Sequence, residues 1–92
     1  MVFNNTETEE LVEVQTNEKK DNCLVLFNDE VNTFDFVIDS LMEVCKHDAL
    51  QAEQATILVH YKGRCDVKNG DKKKLTPLCN ELLRRGLTAE IH

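Results

Sequence analysis

The chain has 92 residues, a hydrophobic share of 41% and a formal net charge of −6. One domain with a small core is expected at this length. The negative charge argues against nucleic-acid binding, because affinity for phosphate comes from clustered lysine and arginine. No apolar run reaches the roughly 18 residues of a membrane span, and the N-terminus lacks the pattern of a secretory signal. We therefore expect a cytoplasmic protein.

The N-terminal residues differ in composition from the rest of the chain. Residues 1–21 are acidic, polar and poor in aromatic side chains, which predicts a flexible tail ahead of a core domain over 22–92. The cysteines show neither a Cys-x-x-Cys motif nor a zinc spacing, so we expect no metal or cofactor. Their apolar neighbours predict small buried side chains in a reducing compartment, and a redox pair assembled by the fold is the weaker alternative. The four positions are Cys23, Cys45, Cys65 and Cys79.

The first half of the core predicts one strand and two helices. "CLVLF" gives a strand over 22–27, and apolar residues at steps of three and four give a helix over 34–46, capped by Asn32 or Thr33. A second helix opens at Asp48 with the spacing of a capping box, and Gly63 ends it. Small and apolar residues form its predicted buried stripe: Ala49, Ala52, Ala55, Thr56 and Val59, extended by Leu58.

The second half predicts a strand, a helix and a strand. "RCDVK" alternates like a strand, and Asn69-Gly70 is a turn signal. We expect an irregular segment over 71–75 and a helix with Thr76 as N-cap and Pro77 at its first position. Gly86 stops that helix before a final strand, "LTAEI". The predicted fold is an α/β (α+β) two-layer sandwich, a three-stranded antiparallel sheet packed by three helices in the order β-α-α-β-α-β.

A polar loop between the first strand and the first helix is the candidate site. If the first two helices pack as a hairpin over the sheet, Asn28, Asp29 and His60 share one rim above an apolar hole. Amide, carboxylate and imidazole acceptors suit an ammonium group. Each residue also has a purely structural explanation. Asn28 can be a turn former, Asp29 can accept hydrogen bonds from local backbone N–H groups, and His60 can be a histidine at the boundary of the core. The predicted hole is lined by Phe34, Val37, Thr56, Val59 and Leu87.

Two motifs resemble a known family. "LFNDEVNTFDFVIDSL" is similar to the N-D-D/E-x-x-T-P-M-E-F-V signature of the Clp protease adaptor ClpS, and "ATILVHYKGR" is similar to its second-helix motif A-x-x-x-M-x-x-V-H-x-x-G-[KR]. The resemblance covers about 22–92. The family usually has Met at the positions of Phe34 and Thr56 and Pro after the position of Asn32, so the resemblance implies a reshaped pocket.

The resemblance implies an adaptor, not an enzyme. Proteins of this family are N-recognins that bind substrates with N-terminal Leu, Phe, Tyr or Trp and deliver them to the ClpA unfoldase of the ClpAP protease. By this resemblance Asn28, Asp29 and His60 bind the amine, Glu30 and Asn32 face the peptide backbone, and the hole holds the side chain. The implied partners are a ClpA-type unfoldase, which also engages the tail, and substrates with bulky apolar N-termini. A monomer is expected.

Three other interpretations stay open. "NDEVN" spaces acids and amides a little like a Mg²⁺ or Ca²⁺ loop of an enzyme, but no phosphate loop or EF-hand pattern accompanies it. A protein–protein interaction module without a pocket function is the second, and a thiol redox protein is the third. The cluster Lys72–Lys74 is either a solvated face or a docking contact.

Overall fold

Residues 21–92 are described by the computed structural model, so the predicted tail lies outside the described residues except for Asp21. The elements are β1 (Asn22–Phe27), α1 (Phe34–Val44), α2 (Ala49–Lys62), β2 (Arg64–Gly70), α3 (Lys72–Arg84) and β3 (Thr88–Ile91). The strands form one antiparallel sheet in the order β2-β1-β3. The predicted element order and antiparallel sheet are confirmed. Within 21–92, no helix combines the length and apolar character that crossing a bilayer requires.

The central strand β1 fixes where the connections meet. Leu24, Val25 and Leu26 are at most 1% exposed, which explains the unbroken apolar run in the sequence. At the other end of the strand, Phe27 pairs with Arg64 of β2 and with Thr88 of β3. The β1–α1 loop therefore leaves the sheet beside the start of both neighbouring strands. The β1–α1 loop, the α2–β2 connection and the α3–β3 turn consequently lie together at one edge of the sheet, where these strand ends meet.

Local hydrogen bonds begin and end the first two helices. Thr33, not Asn32, caps α1 by accepting a hydrogen bond from the backbone of Phe36 at 3.1 Å. The predicted capping box of α2 is confirmed: Asp48 accepts from the Gln51 backbone at 2.7 Å, and the Gln51 side chain accepts from the Asp48 backbone at 3.1 Å. Gly63 ends α2 with φ 92°, a left-handed conformation that favours glycine.

The buried stripe of α2 is shorter than predicted. Its buried residues are Ala52, Ala55, Thr56 and Val59. The prediction is wrong for Ala49, which lies exposed in the first helical turn, and for Leu58, which is 42% exposed. The prediction for α1 was also too long, since the helix ends at Val44. Small residues on the buried face let α2 pack closely while its first turn stays in solvent.

The predicted start of α3 is wrong by one turn. Asp71 is the N-cap, so Pro77 lies inside the helix and the irregular segment over 71–75 does not exist. A proline in a helix interior costs about 3 kcal/mol. Burial of Leu75, which is 1% exposed, contributes roughly 1.5–3 kcal/mol, and the Asp71 cap adds about 1 kcal/mol. The burial of Leu75 and the Asp71 cap together offset the free-energy cost of Pro77.

Pro77 is exposed, which also limits the free-energy cost of a proline inside α3. The preceding Thr76 donates its hydroxyl hydrogen to the Lys72 carbonyl at 2.7 Å, so this first turn gains one hydrogen bond from a side chain. The predicted turn at Asn69-Gly70 shifts as well, because β2 runs through Gly70 and Asn69 pairs with β1.

An ion-pair network joins α1 to the end of α3. Arg85, which follows α3, contacts Glu43 of α1 at 2.8 Å and Glu81 of α3 at 3.1 Å. Hydrogen bonds from Arg84 and Arg85 lower the pKa of Glu81 to about 2. The network holds the chain immediately before the α3–β3 turn.

The prediction that the cysteines are buried holds for two of the four. All four are free thiols, and Cys45 and Cys79 are buried, whereas Cys23 and Cys65 are only half-buried. Burial raises the pKa of Cys45 to about 11, and it also raises the pKa of the other three thiols. Thiols with raised pKa values carry little thiolate at neutral pH, which argues against the redox alternative.

Candidate functional site

Two long-range hydrogen bonds assemble the edge where the three connections meet. The backbone N–H of Asn28 donates to the Gly63 carbonyl at 2.9 Å, so the end of β1 is joined to the end of α2. The side-chain amide of Asn32 donates to the Gly86 carbonyl at 3.0 Å, which joins the β1–α1 loop to the α3–β3 turn. The loop is therefore fixed from both sides.

The carboxylate of Asp29 shapes the loop itself. Its Oδ1 accepts from the backbone of Val31 and of Asn32, both at 2.8 Å, and its Oδ2 accepts from the Asn32 side chain at 3.0 Å. Partial burial raises the pKa of Asp29, but the hydrogen bonds from Asn32 and Val31 lower it by more, so this pKa lies below its ordinary value. A carboxylate has about four acceptor sites, so one site of Oδ2 stays open.

A concave pocket lies inside this edge, with a volume of about 410 Å³. We call it the β1–α1 pocket. The ten residues that the sequence analysis singled out all lie in its lining: Asn28, Asp29, Glu30, Asn32, Phe34, Val37, Thr56, Val59, His60 and Leu87. Their placement together is a structural finding, whereas the role of each residue toward a ligand stays a prediction.

The pocket is polar at its mouth and apolar at its floor. Asn28 and His60 are exposed, and Phe34 is 43% exposed. Val59 and Leu87 are buried, at 5% and 4% exposure. This gradient suits a ligand with a polar head and an apolar body.

Aromatic contacts position the His60 ring at the mouth. The rings of Phe34 and His60 meet edge to face, with centroids 5.3 Å apart and an interplanar angle of 70°. The ring of Tyr61 also contacts the His60 ring, and their centroids are 5.0 Å apart. Such pairs contribute roughly 0.5–1.5 kcal/mol beyond area burial. They hold the imidazole while its nitrogen atoms make no hydrogen bond to any other residue in the described range.

The structure adds lining residues that sequence reasoning missed. Leu26, Phe27 and Thr33 also line the pocket. They flank the polar loop in the sequence, so their positions at the end of β1 and at the N-cap of α1 were available signals. The bond from Asn32 to Gly86 had no such signal, because the two residues are 54 positions apart.

The side chains at the mouth of the pocket are mainly hydrogen-bond acceptors. Within 21–92, no cluster of three His, Cys, Asp or Glu side chains is arranged to hold a metal ion. The mouth offers acceptors: the Asn28 amide oxygen, the open site of Asp29 and a ring nitrogen of His60. A cationic or hydrogen-bond-donating group fits this set. The fold and the pocket define a small α+β protein with a candidate binding site for a ligand or a chain end.

Comparisons with known proteins agree with this class. The family model described as "ATP-dependent Clp protease adaptor protein ClpS" matches residues 17–90. Curated relatives include proteins named "ATP-dependent Clp protease adapter protein ClpS" from Campylobacter jejuni strain 81-176 and from Campylobacter jejuni subsp. doylei. Each is 34% identical over 56 residues, which is 61% of this chain and 58% of the relative. The match thus spans little more than half the length of these relatives.

A solved structure shares the fold. The structure of Agrobacterium tumefaciens ClpS2 bound to L-phenylalaninamide has a TM-score of 0.68 and 18% sequence identity. The match covers 79% of this chain and 95% of that chain. This likeness shows the fold, and the family model, which matches most of the chain, shows the family: the chain belongs to the ClpS family of ATP-dependent Clp protease adaptor proteins. These are adaptors of the Clp protease system, so the chain is not an enzyme.

Proposed function

We propose that this adaptor recognises the first residue of a substrate protein, through its free α-amine and a bulky apolar side chain, and delivers that substrate to a ClpA-type unfoldase. The substrates would begin with Leu, Phe, Tyr or Trp. One observation carries the proposal: uncommitted acceptors surround the mouth of a pocket whose floor is apolar and buried. A free N-terminus is the part of a protein that combines a cationic head with an adjacent side chain.

The acceptors match the donors of an α-ammonium group in number. The ammonium has three N–H donors, and the mouth offers Asn28, Asp29 and His60. The lowered pKa of Asp29 keeps its carboxylate charged at neutral pH. An α-amine has a pKa of about 7.7–8.0, so most of it is charged at pH 7. The head group and the rim are therefore of opposite charge.

The energies are adequate for a preformed site. Hydrogen bonds to a charged group contribute about 1.5–3 kcal/mol each, and burial of a Leu or Phe side chain adds roughly 1.5–3 kcal/mol. Association and ordering subtract several kcal/mol. A micromolar complex needs about 8 kcal/mol net, so the loop must be ordered before binding. The bonds from Asp29 and Asn32 supply that order.

The pocket size and a relative also support the proposal. A volume of about 410 Å³ lies at the lower end of the roughly 300–1,000 Å³ typical of small-ligand pockets. The Agrobacterium ClpS2 structure is bound to L-phenylalaninamide, which carries a free amine beside an aromatic side chain. A pocket for one side chain and its amine is consistent with both observations.

Fluorescence anisotropy tests the proposal with short peptides beginning Leu, Phe, Tyr, Trp, Val or Ala, and with an acetylated Leu peptide. We expect binding of the bulky subset and none of the acetylated peptide, because acetylation removes the charge and adds bulk. Equal binding of the acetylated and free Leu peptides would overturn amine recognition and favour an interaction module without this pocket function.

Two variants locate the interaction. Asn28→Ala should raise Kd at least tenfold, since one hydrogen bond to a charged amine contributes about 1.5–3 kcal/mol. His60→Ala should act in the same direction. Asn69→Ala is the matched control, because Asn69 is an exposed asparagine of β2 that does not line the pocket. An effect of Asn69→Ala as large as that of Asn28→Ala would contradict the assignment.

A further inference from the structure

Thr56 places a polar side chain in the buried wall of the β1–α1 pocket. It is 3% exposed, and among the described residues only Ser40 is a comparably buried polar side chain, which does not line the pocket. The other buried side chains of the lining are the aliphatic groups of Leu26, Val59 and Leu87. Thr56 is therefore the one polar residue among the buried residues of the lining.

The hydroxyl of Thr56 is committed as a donor and free as an acceptor. Its Oγ1 donates to the Ala52 carbonyl at 2.7 Å, one turn earlier in α2. A hydroxyl has one hydrogen and two acceptor lone pairs, so this bond uses its only hydrogen. A ligand can then satisfy Oγ1 only by donating to it. An apolar ligand that excludes water from Oγ1 leaves the acceptor unpaired, which is unfavourable.

Thr56 lies deeper in the pocket than the rim. It is four residues before His60 on α2, which is one helical turn, so both residues lie on the same face of that helix. His60 is exposed at the rim proposed to hold the amine, whereas Thr56 is 3% exposed. In tyrosine the only side-chain donor is the phenol at the far end of the ring, so it is the part of that side chain placed to reach a buried acceptor. Phenylalanine and leucine carry no side-chain donor.

We propose that Oγ1 of Thr56 accepts a hydrogen bond from the phenol of an N-terminal tyrosine, so that this pocket ranks tyrosine above phenylalanine. This inference rests on the proposed function and specifies the substrate class of the same site. A net neutral hydrogen bond corresponds to about a three- to tenfold difference in affinity. The hydroxyl-bearing substrate would therefore be the preferred one, although phenylalanine is the more apolar residue.

The test compares two peptides that differ only in their first residue, Tyr or Phe, against three forms of the protein. In the wild type we expect Kd for the Phe peptide to exceed Kd for the Tyr peptide about three- to tenfold. Thr56→Val keeps the shape of the side chain and removes the acceptor, so the ratio should fall to one or below. Thr56→Ser keeps the hydroxyl and should preserve the preference for Tyr.

The outcomes separate the two proposals. If both peptides bind and Thr56→Val leaves their ratio unchanged, hydroxyl recognition is wrong while amine recognition stands. If neither peptide binds the wild type, both proposals are overturned. Thermal unfolding of each variant, followed by circular dichroism, checks that the fold is intact. Because the readout is a ratio measured on one protein preparation, a partial loss of folded protein does not change it.

Discussion

Within residues 21–92, two hollows of similar volume differ in the hydrogen bonding of their polar side chains. The β1–α1 pocket has about 410 Å³, and a groove between the start of α2 and β2 has about 460 Å³. We call the second hollow the α2–β2 groove; it is lined by His47, Asp48, Leu50, Gln51, Gln54, Ala55, Leu58, Cys65, Asp66 and Val67. The larger hollow is the weaker candidate for a binding site.

Three polar side chains of the α2–β2 groove are bonded within the fold. Asp48 and Gln51 bond to each other's backbone in the capping box, and Nε2 of His47 lies 2.6 Å from the Val67 carbonyl. Nδ1 of His47 is buried and lacks a partner among the described residues, but a single atom does not form a converging set. Leu50 is 65% exposed and Leu58 is 42% exposed, so the large apolar side chains of this groove lie partly in solvent, although Ala55 and Val67 are buried.

The polar side chains at the β1–α1 pocket divide into two groups. Asp29 and Asn32 hold the loop, while no hydrogen bond within residues 21–92 occupies the side chains of Asn28 and His60. The placement of uncommitted polar side chains beside buried apolar residues, rather than volume, favours the β1–α1 pocket as the candidate binding site.

The largest expected effect on peptide affinity comes from removing the hydrogen bonds that hold the β1–α1 loop. Asn32→Ala removes the bonds to Asp29 and Gly86, which together hold the loop by roughly 1–2 kcal/mol. The binding-competent loop would then be about 5- to 30-fold less populated, and Kd for a bulky N-terminal peptide should rise by that factor. Anisotropy measures this change.

The groove supplies the control for that variant. Gln51→Ala removes one bond of the capping box and should lower the free energy of unfolding by about 1 kcal/mol without changing Kd. Chemical denaturation measures the stability of both variants. An equal loss of binding in the two variants would show that global stability, rather than the loop, controls affinity, and the comparison would fail.

A change of pH should have the next largest effect. Between pH 7 and pH 9 the α-amine of a peptide passes through its pKa of about 7.7–8.0, so its charged fraction and its affinity should fall about tenfold. The thiols interfere little, because their pKa values are raised above 9.0. Affinity that is independent of pH over this range would contradict recognition of a charged amine.

The smallest expected effect on Kd and on stability is that of a substitution in the α2–β2 groove. Leu58→Ser changes an exposed side chain that is 42% accessible and lies outside the β1–α1 pocket. We expect less than a twofold change in Kd and a change in unfolding free energy within about 0.5 kcal/mol. A tenfold loss of peptide binding would instead assign the ligand to the groove.

The sequence alone determined the features that depend on near neighbours. The apolar run of β1, the capping box at Asp48 and the left-handed stop at Gly63 each follow from residues within one turn or strand, so their prediction is confirmed. The motif residues of the candidate site were also found from sequence, by their spacing and by family resemblance. Their roles in binding stay predictions.

Tertiary structure decided what local preference could not. The rule that proline starts a helix placed the beginning of α3 at Thr76, but burial of Leu75 and the Asp71 cap outweighed it. The bonds from Asn28 to Gly63 and from Asn32 to Gly86 join residues that are far apart in the chain, so no local pattern announces them. The pocket exists because packing brings three connections to one edge of the sheet, and its free acceptors are those that this packing left unpaired.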